Sequence, residues 1–170
     1  MSNHEYKSDK EFLIDAYRVA TLSPDPSTQN GAIVPYYNDG HEMACYSCNT
    51  FPQFVNPLDD RMQRPLKYSY IEHAERGAIY AAAKIGVPLF GKTMYCPWAA
   101  CAECARAIIC SGIRKVVNHK KMMDATPEHW KESITYANIM FKEAKVEIIV
   151  IDEDLPEAPK ILFNGKLWQP

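Results

Sequence analysis

The chain has 170 residues, enough for one domain with a sizeable hydrophobic core. Hydrophobic residues make up 47% of it and charged residues 24%, and no apolar run approaches the roughly 18 to 20 residues of a membrane helix. The formal net charge is −2, whereas proteins that bind polynucleotides usually carry a basic excess. Composition therefore argues against a membrane protein and against a nucleic-acid-binding protein, and it favours a small-molecule ligand.

The N-terminal segment is polar and leads into a predicted helix. Its first twelve residues, MSNHEYKSDKEF, lack the apolar core of a secretory signal, so we expect a cytoplasmic protein. Ser8 and Glu11 have the spacing of a capping box. Apolar residues at helical spacing run from Phe12 to Ala20, and Pro24 and Pro26 end the helix.

A hairpin and a long loop are predicted next. Residues 32–37 and 43–46 are strand candidates, and the turn sequence Asn38-Asp39-Gly40 between them makes an antiparallel pair. Residues 49–70 contain three prolines and little periodicity. A loop of this length inside a domain is often functional.

The second half alternates helices with strands. Helices are predicted over 73–85 and over 101–111, and Gly112 caps the second of them in the left-handed conformation. A third helix is predicted to begin at Thr126-Pro127, with Thr126 as the N-cap and Pro127 as the first helical residue. Strands are predicted over 93–96, 114–117 and 146–151. The last helix carries an apolar stripe that includes Trp130, and the tail 152–170 is expected to wrap the surface.

This order predicts a single α/β domain over residues 1–170 that contains a mixed five-stranded sheet. Helices between successive strands favour parallel crossovers and a sheet covered on both faces, which gives three α-β-α layers.

A group of metal-ligating residue types lies at two predicted helix starts. His73 and Glu75 begin one helix, and Cys101 and Cys104 begin the other. Residues three apart on a helix share a face, and a helix N-terminus favours thiolates. One imidazole and two thiolates leave the fourth position of a tetrahedral Zn²⁺ site open, which is typical of catalytic zinc. Glu75 is then placed to accept a proton from a zinc-activated water.

A second Cys-x-x-Cys pair, Cys45 and Cys48, leaves an alternative open. With Cys101 and Cys104 it could form a closed, non-catalytic four-cysteine zinc module. Cys45 lies in a predicted strand, however, where residues three apart point to opposite faces. We therefore expect burial for Cys45 and Cys48, and likewise for Cys96 and Cys110.

Several segments in the same order resemble the zinc-dependent cytidine and deoxycytidylate (dCMP) deaminases. The pattern His-Ala-Glu followed by Cys-x-x-Cys is typical of zinc nucleobase deaminases. Residues 25–32, DPSTQNGA, resemble that family's DPSTQVGA, residues 49–52 its NGxP, residues 101–105 its CxECAK, and residues 111–116 its SGIKxV. The similarity extends from about Phe12 to Val150.

The resemblance implies a cytidine deaminase-like fold and hydrolysis of a cytosine nucleotide, first of all dCMP, to the uracil nucleotide and ammonia. His73, Cys101 and Cys104 would hold Zn²⁺, and Glu75 would carry protons between water, N3 and the leaving amine. Substrate contacts would come from Asn49, from the Ala74 N–H, and from the backbone carbonyls of Ala99 and Ala100. The family also implies a homo-oligomer.

Two departures from the family keep other substrates open. Ala100 replaces the proline that usually precedes the first zinc cysteine, which leaves the metal ligands unchanged. Leu22 and Pro24 stand where many dCMP deaminases have basic residues, one of which contacts the phosphate. A phosphate would then need Arg61, Arg64, Arg106, Lys120 or Lys121, or the substrate is a nucleoside, a free cytosine or guanine base, or a base in RNA.

Overall fold

The computed structural model describes residues 7–170, so the first six residues of the predicted N-terminal segment lie outside the described residues. The helices are α1 (Asp9–Ala20), α2 (Lys67–Tyr70), α3 (Ala74–Ile85), α4 (Ala102–Cys110), α5 (Lys120–Asp124) and α6 (Glu128–Glu143). The strands are β1 (Gly31–Asn38), β2 (His41–Cys48), β3 (Thr93–Tyr95), β4 (Lys115–His119), β5 (Glu147–Ile151), β6 (Ile161–Phe163) and β7 (Lys166–Trp168).

The predicted mixed five-stranded sheet is confirmed, with strand order β2-β1-β3-β4-β5. β1 pairs antiparallel with β2 and β3, and β3, β4 and β5 run parallel to one another. The parallel pairs follow the helical connections α4 and α6, as the alternating order of elements predicts. The carboxyl end of β3 therefore leads directly into the loop before α4.

Helices cover the sheet on both faces, so the predicted α-β-α layering is also confirmed. Ala32 and Val34 of β1 pack in one buried cluster with side chains of α3, α4 and α6. Ile33, which points the other way because side chains alternate along a strand, packs with Phe12 and Ala16 of α1. Within residues 7–170 no helix combines the length and apolar character of a bilayer span.

Close packing at Gly77 fixes where α3 begins relative to the sheet. A Cβ atom on Gly77 would lie 2.3 Å from Ser47 Oγ on β2, so only glycine permits this approach. The first turn of α3, with its predicted site residues, is thereby held against the end of β2.

Three local features differ from the sequence prediction. The loop 49–70 contains a 3₁₀ turn, Asp59–Met62, and the short helix α2. The last helix has Pro127, not Thr126, at its N-cap, and the Thr126 hydroxyl instead accepts a hydrogen bond from Trp98 Nε1 at 2.9 Å. Cys110 ends α4 on the exposed side, whereas Cys45, Cys48 and Cys96 are buried as predicted.

The tail after β5 was expected to wrap the surface, but it also forms strands and contributes to the core. Its strands β6 and β7 make a separate antiparallel hairpin. Leu155, Ala158, Ile161 and Phe163 are buried in a cluster with α1 and with Met122 of α5. Apolar side chains thus anchor residues 155–163 in the core.

Candidate active site

The predicted metal ligands meet at the starts of α3 and α4. His73 is the N-cap residue of α3, and Cys101 is the N-cap residue of α4. His73 Nδ1 lies 3.6 Å from Cys101 Sγ and 3.5 Å from Cys104 Sγ. These are the only His, Cys, Asp or Glu residues in the described part of the chain that form a potential metal-binding group.

The spacing of the three donor atoms fits a zinc ion. Zn–N and Zn–S bonds of about 2.1 and 2.3 Å in tetrahedral geometry place a nitrogen and a sulfur about 3.6 Å apart. The two nitrogen–sulfur distances here are 3.6 and 3.5 Å. An imidazole with two sulfurs also matches the ligand preference of zinc. Three protein donors leave a fourth position for water or substrate.

The two cysteine sulfurs differ in how readily they lose a proton. Hydrogen bonds from Cys104 and His73 lower the pKa of Cys101 to about 3, although burial opposes this. The same contact with Cys101, together with burial, raises the pKa of Cys104. The metal-free pair therefore shares one proton, which a divalent cation would displace.

Glu75 lies in the first turn of α3 with only 3% of its surface exposed. Burial raises the pKa of its carboxyl group, although the nearby His73 acts in the opposite direction. Glu75 borders the same pocket as His73 and Cys101. A buried carboxyl group with a raised pKa beside a potential metal site is suited to moving protons.

Arg76 joins the two helices that carry the potential ligands. Its guanidinium forms ion pairs with Glu72, just before His73, and with Glu103, between the two cysteines. The distance from Arg76 Nη1 to Glu103 Oε2 is 2.7 Å. This bridge fixes α3 and α4 next to each other at their N-termini.

Aromatic side chains form much of the pocket wall. Trp130 of α6 contacts His73 edge-on with ring centroids 5.7 Å apart, and it contacts Trp98 and Tyr68 at 6.0 and 6.1 Å. The pocket holds about 620 Å³ of empty space, part of it open to solvent. The aromatic faces of this wall suit a planar ring.

Basic side chains lie on another side of the pocket. Lys67 and Arg64 both border it, but Lys67 is paired with the buried Asp25 at 2.8 Å. Arg64 is exposed and donates to Ser27 Oγ at 3.3 Å. Within residues 7–170, Arg64 is the basic residue on this pocket that forms no ion pair with a carboxylate.

The predicted substrate-contact residues lie close together. Asn49 Oδ1 accepts the Ala74 N–H at 3.1 Å, and Asn49 Nδ2 donates to the Thr28 carbonyl at 3.0 Å. The Ala74 N–H thus already has a protein partner. Ala99 borders the pocket, and Ala100 is buried beside Cys101.

The other basic candidates for a phosphate are engaged elsewhere or lie off the pocket. Arg61 packs over the Tyr70 ring, and Lys120 and Lys121 pair with Asp124 and Asp154. Arg106, on α4, is not among the residues that border the pocket. Cys45 and Cys48 join no group of potential metal ligands with Cys101 and Cys104 in the described residues.

Sequence reasoning did not identify several residues that border the pocket: Asp25, Thr28, Asn30, Tyr68, Trp98 and Trp130. Trp130 was assigned to the apolar stripe of the last helix. The proximity of Trp98 to the cysteine pair in sequence was a usable signal, because bulky aromatic residues beside catalytic motifs often shape pockets.

Comparisons with known proteins identify the family to which the chain is similar. The family model for the cytidine and deoxycytidylate deaminase zinc-binding region matches residues 6–120. An uncharacterised deaminase of Aliivibrio fischeri, from the region 3′ of luxG, is 32% identical over 146 residues, 86% of this chain and 95% of that protein. The deoxycytidylate deaminase of enterobacteria phage T2 is 36% identical over 101 residues, which span 59% of this chain and 53% of the phage protein.

A solved structure is similar in fold. It is the dCMP deaminase of cyanophage S-TIM5 in complex with dCMP and dUMP, with a TM-score of 0.63 and 20% sequence identity. The match covers 86% of this chain and all of the cyanophage chain.

Proposed function

Because this chain belongs to the cytidine and deoxycytidylate deaminase family, we propose that it is a zinc-dependent enzyme that hydrolyses the 4-amino group of a cytosine nucleotide. The substrate that we favour is dCMP, and the products are dUMP and ammonia. The C4–N bond breaks, a C4–O bond to an oxygen from water forms, and no oxidation or reduction occurs. The observation that carries this proposal is the buried Glu75 beside three zinc-type donors around one pocket.

The metal site and Glu75 divide the chemistry between them. His73, Cys101 and Cys104 would hold a zinc ion, and this ion would supply an activated water molecule as the nucleophile. Glu75 accepts a proton from that water and delivers it to N3 of the ring, which makes C4 more electrophilic. The same carboxyl group then carries a second proton to the departing amine.

The pocket walls orient the base for this reaction. Tyr68, Trp98 and Trp130 offer aromatic surface, which excludes water and holds a planar ring by stacking and edge contacts. Asn49, Ala74, Ala99 and Ala100 contact the polar atoms of the base and the sugar. When the substrate binds, the hydrogen bond from the Ala74 N–H to Asn49 Oδ1 breaks, and both groups contact the substrate instead.

A phosphate group is held at the pocket mouth by Arg64. Its guanidinium has no carboxylate partner among the described residues, and it reaches the Ser27 hydroxyl. A guanidinium and a nearby hydroxyl are well suited to phosphate oxygens. This arrangement supports a nucleotide over a nucleoside, although Leu22 and Pro24 lack the basic groups common in the family.

We further propose a cytoplasmic homo-oligomer in which residues 1–170 form one domain without polynucleotide partners. The scattered charge and the net charge of −2 support a small-molecule partner. Large apolar side chains are exposed on β2 and α3, including Tyr46, Tyr80 and Ile85, which supports contact between subunits. Light scattering coupled to size-exclusion chromatography measures the number of subunits.

An ammonia-release screen of the zinc-loaded protein tests the proposed function. The panel contains dCMP, CMP, dCTP, deoxycytidine, cytosine and guanine, and we expect the highest kcat/KM with dCMP. A higher kcat/KM with deoxycytidine or with a free base would assign an unphosphorylated substrate. Absence of ammonia from every compound, with zinc bound, would contradict the enzymatic proposal.

A further inference from the structure

Asn30 is held rigidly at the wall of the pocket, directly before β1. Its side chain is buried, with 3% of the residue exposed. Asn30 Nδ2 donates to Cys96 Sγ at 3.2 Å, and the Asn30 carbonyl accepts the Asn49 N–H at 3.0 Å. These two contacts fix both the backbone and the direction of the amide group.

The other end of this amide has no partner. Asn30 Oδ1 and Trp168 Nε1 are the two buried side-chain polar atoms without a hydrogen bond in residues 7–170. Leaving a buried acceptor unpaired destabilises the folded protein, so such a group needs an explanation. Because Asn30 borders the same pocket as His73 and Glu75, a substrate bound in that pocket can supply the donor.

The neighbours of Asn30 place it near the reacting part of the base. Cys96, which Asn30 contacts at 3.2 Å, has a pKa raised by burial and next by the charge of Glu75, and Asn30 and Glu75 border the same pocket. The proposed chemistry brings N3 and C4 of the ring to Glu75 and the metal. In cytosine the exocyclic 4-amino group is the N–H donor at that edge.

We propose that Asn30 is a specificity-determining residue whose Oδ1 accepts a hydrogen bond from the 4-amino group of the substrate. This inference rests on the proposed function. Deamination replaces the amino group with a carbonyl oxygen, which offers only lone pairs to Asn30 Oδ1. The same atom therefore favours the cytosine substrate and disfavours the uracil product, which promotes product release.

The sequence around Asn30 agrees with a role in the pocket. In the segment DPSTQNGA, Asn30 stands where the similar family motif has valine. Valine fills a comparable volume but offers no acceptor. A polar side chain in place of an apolar one at a buried position destabilises the fold unless the polar group has a hydrogen-bond partner.

Binding measurements on Asn30→Val test the inference. The variant is made in a Glu75→Gln background so that dCMP is not consumed, and the zinc-loaded proteins are titrated with dCMP and with dUMP by calorimetry. We expect the ratio of the dUMP Kd to the dCMP Kd to fall about tenfold in Asn30→Val. Asn30→Leu, whose side chain has the same branched arrangement of heavy atoms as asparagine, should behave in the same way.

Gln29→Met provides the matched control. Gln29 is the preceding amide, but its side chain donates to the Ser23 carbonyl and accepts the Leu162 N–H, and it does not border the pocket. The Kd ratio should be unchanged in this variant. Thermal unfolding verifies that each protein is folded before titration.

The outcomes separate the inference from the proposed function. An unchanged Kd ratio in folded Asn30→Val and Asn30→Leu, while the wild type deaminates dCMP, would overturn the role of Asn30 alone. A change of equal size in Gln29→Met would also overturn it. If the wild type releases no ammonia from dCMP and the Glu75→Gln protein binds neither nucleotide, the proposed function fails and this inference fails with it.

Discussion

The ammonium group of Lys67 lies 2.8 Å from each carboxylate oxygen of Asp25, and both side chains are almost completely buried. Asp25 Oδ1 also accepts the N–H groups of Ser27 and Thr28 at 2.8 and 3.1 Å. The pair therefore joins α2 to the loop that precedes β1. Both segments border the pocket, so this contact sets the shape of one of its walls.

Replacement of Lys67 should strongly destabilise the fold. Lys67→Met leaves the Asp25 carboxylate buried without its countercharge, and the free energy of unfolding should fall by about 3 to 5 kcal/mol. Urea denaturation measures the change. The double variant Asp25→Asn/Lys67→Met should recover part of the loss because the buried charge is gone.

An exposed ion pair provides the comparison. Lys10 pairs with Glu153 at 2.8 Å, with 38% and 62% of the side chains exposed. Lys10→Met should leave the free energy of unfolding nearly unchanged, because solvent screens an exposed ion pair. If Lys10→Met and Lys67→Met lowered the free energy of unfolding equally, the buried pair would not stabilise the fold more than an exposed one.

Loss of a metal ligand should remove zinc. Cys104→Ser replaces one of the three donor atoms, and the metal content should fall from about one zinc ion per chain to a small fraction of that. Mass spectrometry of the digested protein measures the zinc. Cys45→Ser should retain the metal, since Cys45 is buried on β2 in a cluster of apolar side chains. Loss of zinc from Cys45→Ser would favour a four-cysteine site.

Glu75→Gln should separate catalysis from metal binding. The amide keeps the size of the side chain but cannot accept a proton, so kcat for dCMP should fall by about 10²- to 10⁴-fold while zinc and nucleotide remain bound. Glu103→Gln is the control. Glu103 lies between the zinc cysteines but is largely exposed, and its loss should leave kcat within about threefold. Full turnover by Glu75→Gln would remove this residue from the mechanism.

Arg64→Gln should reduce the preference for a phosphorylated substrate. A charged hydrogen bond contributes about 1.5 to 3 kcal/mol, so KM for dCMP should rise about 10- to 100-fold. The kcat/KM for deoxycytidine should not change, because that substrate has no phosphate. Arg61→Gln, which removes a guanidinium from the Tyr70 ring, should affect neither substrate. An unaltered KM for dCMP in Arg64→Gln would place the phosphate elsewhere.

Acidification should destabilise the protein through His119. This buried histidine contacts the Tyr17 hydroxyl through Nδ1 at 2.7 Å and the Glu153 carbonyl through Nε2 at 2.9 Å. Burial lowers its pKa below the ordinary histidine value of 6.5. The unfolded chain therefore binds a proton that the native protein does not, and stability falls as the pH drops below about 6.5.

Urea unfolding between pH 5 and 8 measures this effect. In His119→Gln the decrease in stability below about pH 6.5 should be smaller than in the wild type. An equal pH dependence in both proteins would show that other groups cause the acid sensitivity.

The sequence alone predicted the parts of the site that depend on local signals. Residue spacing placed His73 and Glu75 at the start of one predicted helix and Cys101 and Cys104 at the start of another. Alternation of helices with strands predicted the parallel half of the sheet. These patterns lie within short stretches of sequence, so they can be recognised without knowledge of the tertiary contacts.

Residues that reach the pocket through tertiary packing could not be predicted. Trp130 lies 57 positions beyond His73 in the chain, and an apolar residue on a helix gives no indication of which neighbour it covers. The burial of Lys67 could not be read from its loop sequence either, because it depends on an ion pair with Asp25 in a distant segment. The β6–β7 hairpin was missed because two three-residue strands carry too short a pattern to detect.

The C-terminal hairpin lies outside the five-stranded sheet, but it supports a loop that borders the pocket. The Gln29 N–H donates to the Leu162 carbonyl at 2.8 Å, and the Gly165 N–H donates to the Ser27 carbonyl at 2.7 Å, so the tail is hydrogen-bonded to the loop beside Asn30. A fragment cut after β5 would keep every proposed zinc ligand yet lose this support. Expression fragments, fusions and circular permutants of this protein should therefore retain residues 152–170 in their native connection.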